Sequence, residues 1–322
     1  MIRFLSQHPD HLFDALDTKA QIQLHENAEK LCGALALFRL RMDSTCLLRS
    51  MNIVTQLRGH TAVQLRNSGM SVCDAFFSTV SLLDQLFTAL KTYLEDYPGA
   101  EALIESSVVI CSIIEAAVQY RKDCNVKSLN NMWTTSSMVR HALTGTVLSN
   151  FSWIGYTPGD SETSLRIKCD ISLVKELGEQ TMAIGRLLLD GYFEHGMKNG
   201  ELKAYKACKA LVLNPLVCIG CHVGYNKVYS MCETYHYYVG LFECIMKMND
   251  TSTTRLAALT ECCSQFASDN FYYQLYSYFG KREWKNPWSK DRQGTSTTLL
   301  RRAMLSELPH RFQEQLQEYR VS

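Results

Sequence analysis

The sequence predicts an all-α fold, an irregular helical stack of the α-solenoid kind, and three observations predict it. The 322 residues include only 17 glycines and 6 prolines, too few for a sandwich or barrel that turns every few residues. Apolar side chains recur at alternating spacings of three and four, the period of one helix face. In the last third, short helical runs follow one another across small turns with no strand between them. At 46% hydrophobic residues, the chain can bury a large core, which excludes disorder over most of its length.

The elements follow in order. Thr18 to Arg41 carries Leu24, Ala28, Leu31, Leu35 and Phe38 on one stripe, and Thr18-Lys19-Ala20-Gln21 opens it as a capping box. Asp43 or Ser44 caps a second helix with Leu47, Met51, Val54 and Leu57 on its apolar face, and Gly59 ends it. From Ser71, with Asp74 three residues on, Phe76, Val80, Leu83, Phe87, Leu90 and Leu94 predict one long helix up to Pro98-Gly99. Ala100 to Cys124 is predicted helical through Ile104, Val108, Cys111, Ile114 and Val118. Its length outweighs the strand propensity of Ser106 to Ile110.

Residues 125–163, rich in Asn, Thr, Ser and Gly, are predicted to be a long irregular connection. It would hold a short helix near Met138 to Leu143 and a short strand around Phe151 to Tyr156. Helix resumes near Ser164 with Ile167, Ile171, Val174, Leu177, Leu187, Leu188 and Tyr192, and closes at Lys198-Asn199-Gly200. Six shorter helices are then expected: Lys203 to Leu213, Pro215 to Tyr225, Asn226 to Thr234, Tyr238 to Met248, Thr251 to Ser268 and Asn270 to Phe279. No fixed repeat period links them. The domain reading is therefore an N-terminal helical module at 1–124, the connection at 125–163, a solenoid module at 164–280, and a polar tail at 281–322 whose Leu299 to Tyr319 is helical.

Charge and cysteine bound the function. With 33 basic against 32 acidic residues, no broad field draws in nucleic acid or an anionic membrane. Thirteen scattered cysteines do not form the dense disulfide framework of a small secreted domain, so reduced thiols are expected. The start, Met1 to Pro9, has too short an apolar run for a signal peptide. The most apolar stretch, Leu211 to Tyr225, is broken by Asn214, Pro215 and His222 and falls short of a membrane span. A soluble chain, starting as if from the inside of something longer, is the expectation.

The sharpest local motif is Cys218-Ile219-Gly220-Cys221-His222, whose letters spell the attachment signature for c-type haem. No leader and no second axial ligand accompany it, and its apolar helix suits cysteine as a small buried hydrophobe. Zinc is the other metal reading, with Cys232, His236, Cys244 and Cys262-Cys263 as further thiol and imidazole donors. An adjacent cysteine pair in helical sequence does not match the two spaced pairs of a zinc knuckle. Tyr225, Tyr229, Tyr235, Tyr237 and Tyr238, then Phe271, Tyr272, Tyr273, Tyr276, Tyr278 and Phe279, could form a base-stacking platform. Without interleaved basic residues their spacing suits helix packing instead. The scattered acidic residues read as solvated helix faces. No nucleophile elbow, phosphate loop or HExxH is present, so the expectation is a non-enzymatic scaffold with no catalytic residue, cofactor or metal.

Particular runs carry a family resemblance. Leu24-His25-Glu26-Asn27-Ala28-Glu29-Lys30-Leu31 followed by Ala34-Leu35-Ala36-Leu37 resembles the opening helix of the α-helical region of the nucleoporin 133 family, scaffold members of the Y-shaped complex of the nuclear pore. Asp74-Ala75-Phe76-Phe77 with Val80 and Leu83-Asp84, Ala116-Ala117-Val118-Gln119-Tyr120-Arg121, Leu189-Asp190-Gly191-Tyr192, Met231-Cys232-Glu233 and Gln265 to Phe271 are similar to it in the same order. The resemblance runs from about Leu12 to Gly280. It implies an architectural protein of the nuclear envelope that supports protein import and messenger RNA export. Its partner would be the adjacent helical subunit of the Y-complex, with no direct nucleic acid or membrane contact and no β-propeller in this chain. The family's C-terminal docking segment has no counterpart here, which puts that contact in doubt. The alternative of the same architecture is a vesicle coat or tethering scaffold.

Overall fold

A computed structural model describes residues 17–40, 44–59, 61–79, 81–124, 132–156, 170–199, 201–248, 251–266, 268, 270–275 and 277–278. The expected tail helix Leu299 to Tyr319, the start at Met1 to Pro9, and Asp43, Val80, Ile167, Tyr276 and Phe279 lie outside these residues. The described residues are all-α, with no strand among them. The helices are α1 Thr18–Leu40, α2 Thr45–Leu57, α3 Ala62–Asn67, α4 Val72–Phe77, α5 Leu82–Asp96 and α6 Ala100–Asp123. After a single 3-10 turn at Trp133–Thr135 come α7 Ser137–Ile154, α8 Ile171–Asn199 and α9 Leu202–Cys218. The series ends with α10 Gly220–Val223, α11 Tyr225–Thr234, α12 Tyr238–Met248 and α13 Ser252–Gln265. Helical backbone continues at 270–275. The chain divides into two compact units, Met1–Val212 and Leu213–Ser322, and the division falls inside α9.

Local chemistry explains most helix ends. α1 is capped by Asp17, whose Oδ1 accepts from the Ala20 N–H at 2.7 Å, one residue ahead of the expected Thr18. Ser44 accepts from the Leu47 N–H at the start of α2. Gly59 follows α2 with a φ of 81°, a conformation that suits glycine. The Thr61–Gln64 capping box starts α3, a helix that hydrophobic spacing alone did not reveal. The Ser71–Asp74 box starts α4 as expected.

The expected long helix from Ser71 is two helices. Ser78 turns its hydroxyl back onto the Ala75 carbonyl at 2.7 Å, and this local bond competes with continuation of the ladder. The Leu82 N–H then reaches the Thr79 carbonyl at 3.1 Å as α5 begins.

The connection expected at 125–163 also needs correction, because its middle is α7, an 18-residue helix. Ser136 caps it, and Gly155 ends it at φ 95°. Val139, Leu143, Val147, Phe151 and Ile154 form its buried face, so the strand expected near Phe151 is helix. Its polar composition misled because Thr144 and Thr146 satisfy their hydroxyls on the carbonyls of Arg140 and Ala142. The two helices expected around Pro215 are likewise one helix, α9, running through that proline, followed by the four-residue α10.

In the first unit α6 is the hub. It packs against α1, α2, α5, α7, α8 and the 3-10 turn, so Val109, Ile110, Ile113, Ile114 and Ala117 are all buried. A helix covered on this many sides needs apolar residues around most of its circumference, which blurs its amphipathic stripe. Gly33 of α1 permits the closest approach, since a Cβ there would lie 2.9 Å from Cγ2 of Ile113. Leu35 and Phe38, expected on the α1 core face, are 48% and 47% exposed. Phe38 meets the Phe77 ring edge-on at 5.5 Å.

In the second unit contacts run between chain neighbours, α10 on α11, α11 on α12 and α12 on α13. Phe271 sits in an aromatic core with Tyr238 at 5.0 Å, Phe242 at 5.5 Å and Tyr272 at 5.6 Å. These rings pack helices together, as their spacing suggested. Gly220 is required where Tyr225 crosses it, because a Cβ would fall 2.3 Å from the ring.

Candidate functional site

The most concentrated polar chemistry surrounds the 3-10 turn, which packs against α1, α6, α7 and α8. Trp133 donates its indole N–H to Asp84 Oδ1 at 2.7 Å. The same carboxylate meets Lys30 Nζ at 2.8 Å through its other oxygen, and Lys30 also pairs with Glu26 at 2.9 Å. The ammonium stands 5.9 Å from the Trp133 ring centroid. Beside it, Glu29 is fully buried. It accepts from the Thr134 backbone N–H at 3.1 Å and from its hydroxyl at 3.3 Å. Arg121 Nε of α6 lies 3.1 Å from Glu29 Oε1.

The electrostatics follow from burial. Desolvation pushes the Glu29 carboxyl up to about 7, against the opposing pull of Arg121 and the Thr134 hydrogen bonds. Burial also works against the Lys30 charge, but hydrogen bonds to Asp84 and Glu26 outweigh it and raise its pKa. His25, whose Nδ1 is 3.0 Å from the Tyr120 hydroxyl, is lowered by burial. These charges face one another and tie four elements together, which is the chemistry of a structural lock. Glu29, a carboxyl buried against an arginine, is the group in it raised toward neutrality.

Sequence reasoning missed this cluster by treating acidic residues as solvated. The available signal was positional. Glu29 and Lys30 lie between Ala28 and Leu31 on the apolar stripe of α1, and Asp84 follows Leu83 of the α5 stripe. Charges at such positions are buried only when paired.

The metal candidates lie on several elements of the second unit. Cys218 is half-buried at the end of α9, Cys221 is exposed on α10, and His222 is half-buried beside it. Among the described residues no group of three or more His, Cys, Asp or Glu side chains is arranged to hold a metal ion. His236 stacks edge-on against Phe266 at 5.7 Å. Cys262 meets the Tyr229 hydroxyl at 3.5 Å, and the Cys263 carbonyl accepts from Tyr272 at 3.3 Å. Of the candidate donors, Cys232 on α11 and Cys244 on α12 are both buried, and Cys232 Sγ packs against Gly240 of α12. Among the described residues no helix is long and apolar enough to cross a membrane. No protein-family model matches the chain, and no curated protein matches it.

Proposed function

We propose that this chain is a structural scaffold of the nuclear pore, a Y-complex type of nucleoporin whose helical surfaces bind protein partners. The observation that carries the reading is the succession of short helices α10 to α13, each packed on its chain neighbour, which suits a solenoid built from stacked helices. The ordered runs resembling the nucleoporin 133 family supply the choice of scaffold. Their described residues lie on α1, α4, α5, α6, α8 and α11, and from the end of α13 into the helical backbone at 270–275. The balanced charge of +1 suits protein partners better than nucleic acid.

The test is localisation together with capture. A tagged full chain should mark the nuclear rim and retrieve helical subunits of the Y-complex. Accumulation on cytoplasmic puncta with vesicle-coat or tethering subunits, and none of the pore scaffold, would replace this reading with the coat alternative.

A further inference from the structure

We propose that the first half of α9 is a docking surface for an acidic segment of a partner protein that carries an apolar anchor. α9 holds Lys203, Lys206 and Lys209 and no acidic residue, a local excess of positive charge in a chain whose net charge is +1. The helical period sets Leu202, Lys206 and Lys209 on one stripe, with Lys203 beside it. Lys203 and Lys206 are exposed, and Leu202 is 49% exposed. Tyr205 anchors the stripe from below, being itself buried. Lys209 Nζ stands 4.9 Å from the centroid of its ring, and Phe193 of α8 meets that ring at 5.8 Å. Phe193, also 49% exposed, therefore flanks the lysines on the side opposite solvent-facing Lys203.

Local acids do not neutralise these cations. Glu201, just ahead of α9, is held by the buried Arg140 at 3.0 Å. Asp190, one turn before Phe193 on α8, stands at the border of the patch. Among the described residues, neither Lys203 nor Lys206 has an ion-pair partner. Burial and the neighbouring Lys206 charge both push the Lys209 pKa down, as expected where cations crowd together. A carboxylate-rich segment relieves that repulsion, and its apolar side chain covers Phe193 and Leu202. Phe193 is the exposed ring of the patch, and one ring does not stack a run of bases, which favours polypeptide over nucleic acid. The surface does not rest on the nuclear-pore reading, since any helical scaffold would present it. Localisation away from the nuclear rim would remove that reading and leave this one intact.

The experiment follows, by fluorescence anisotropy, a fluorescein-labelled peptide of glutamates around one leucine and one phenylalanine as it binds the full chain. Binding at low salt that weakens steadily as salt rises is expected. Changing the peptide's glutamates to glutamines should abolish binding, and changing its leucine and phenylalanine to alanine should weaken it. Lys203→Glu combined with Lys206→Glu should bind about tenfold more weakly. Lys19→Glu combined with Lys122→Glu makes the same charge change at exposed lysines elsewhere and should bind as the wild type does. No binding, equal binding of the glutamine peptide, no loss in the first variant or an equal loss in both would overturn the proposal. Tighter binding of a single-stranded RNA of equal charge would also overturn it, in favour of a nucleic-acid surface. The salt series and the glutamine peptide need no variant and decide the matter even where a lysine reversal unfolds the chain.

Discussion

Glu29→Gln separates two forces that meet at the buried carboxyl. Glutamine keeps the shape and an acceptor for Thr134, but it cannot ionise against Arg121. If desolvation dominates, Glu29 titrates at about 7 in the folded chain against 4.5 as its ordinary value. Between those pH values the folded chain holds a proton that the unfolded chain has lost. The stability contributed by this group is therefore complete below 4.5 and falls as pH rises to about 7. At about 1.4 kcal/mol per unit, the whole interval amounts to about 3 kcal/mol. Urea denaturation of both proteins below and above the interval isolates this group, because the other titrations cancel in the difference. Glu29→Gln should gain about 3 kcal/mol on the wild type as pH rises through the interval. If the ion pair at 3.1 Å prevails, the variant loses ground instead as pH rises, because Arg121 is left without its charge partner. That outcome would refute the argument from desolvation.

Three further substitutions probe the packing. Gly33→Ala gains helix propensity but drives a methyl into Ile113. A net loss of about 1 kcal/mol in chemical denaturation is expected, and a gain would show that α1 and α6 can separate freely. Phe87→Ala removes a buried ring that lies 6.2 Å from Trp133. It should cost about 3–5 kcal/mol, and a loss under about 1 kcal/mol would mean the cavity collapses or the face is loosely packed. His236 occupies the left-handed region at φ 51°. His236→Val should be about 1–2 kcal/mol less stable than His236→Gly in thermal unfolding, and equal stabilities would argue against backbone strain there.

How far the fold was legible depended on what each signal reports. The extents of α1, α2 and α12 and the Ser71–Asp74 cap were readable because period and capping are local properties. α7 was not, since Thr144 and Thr146 look like loop residues until their hydroxyls are seen bonding to the preceding turn. The break between α4 and α5 was hidden by an apolar period that continues across it, while Ser78 redirects the hydrogen bonds.

The candidate site shows the same division more sharply. Composition and spacing determined the helical class and the even charge of the chain, because these depend on residue counts and on neighbours within a turn. The pairing of Glu29 with Arg121 and of Lys30 with Asp84 was decided by tertiary structure. Each depends on which faces of distant helices meet. The cost of burying a charge or a thiol is set by that meeting, which no local pattern records.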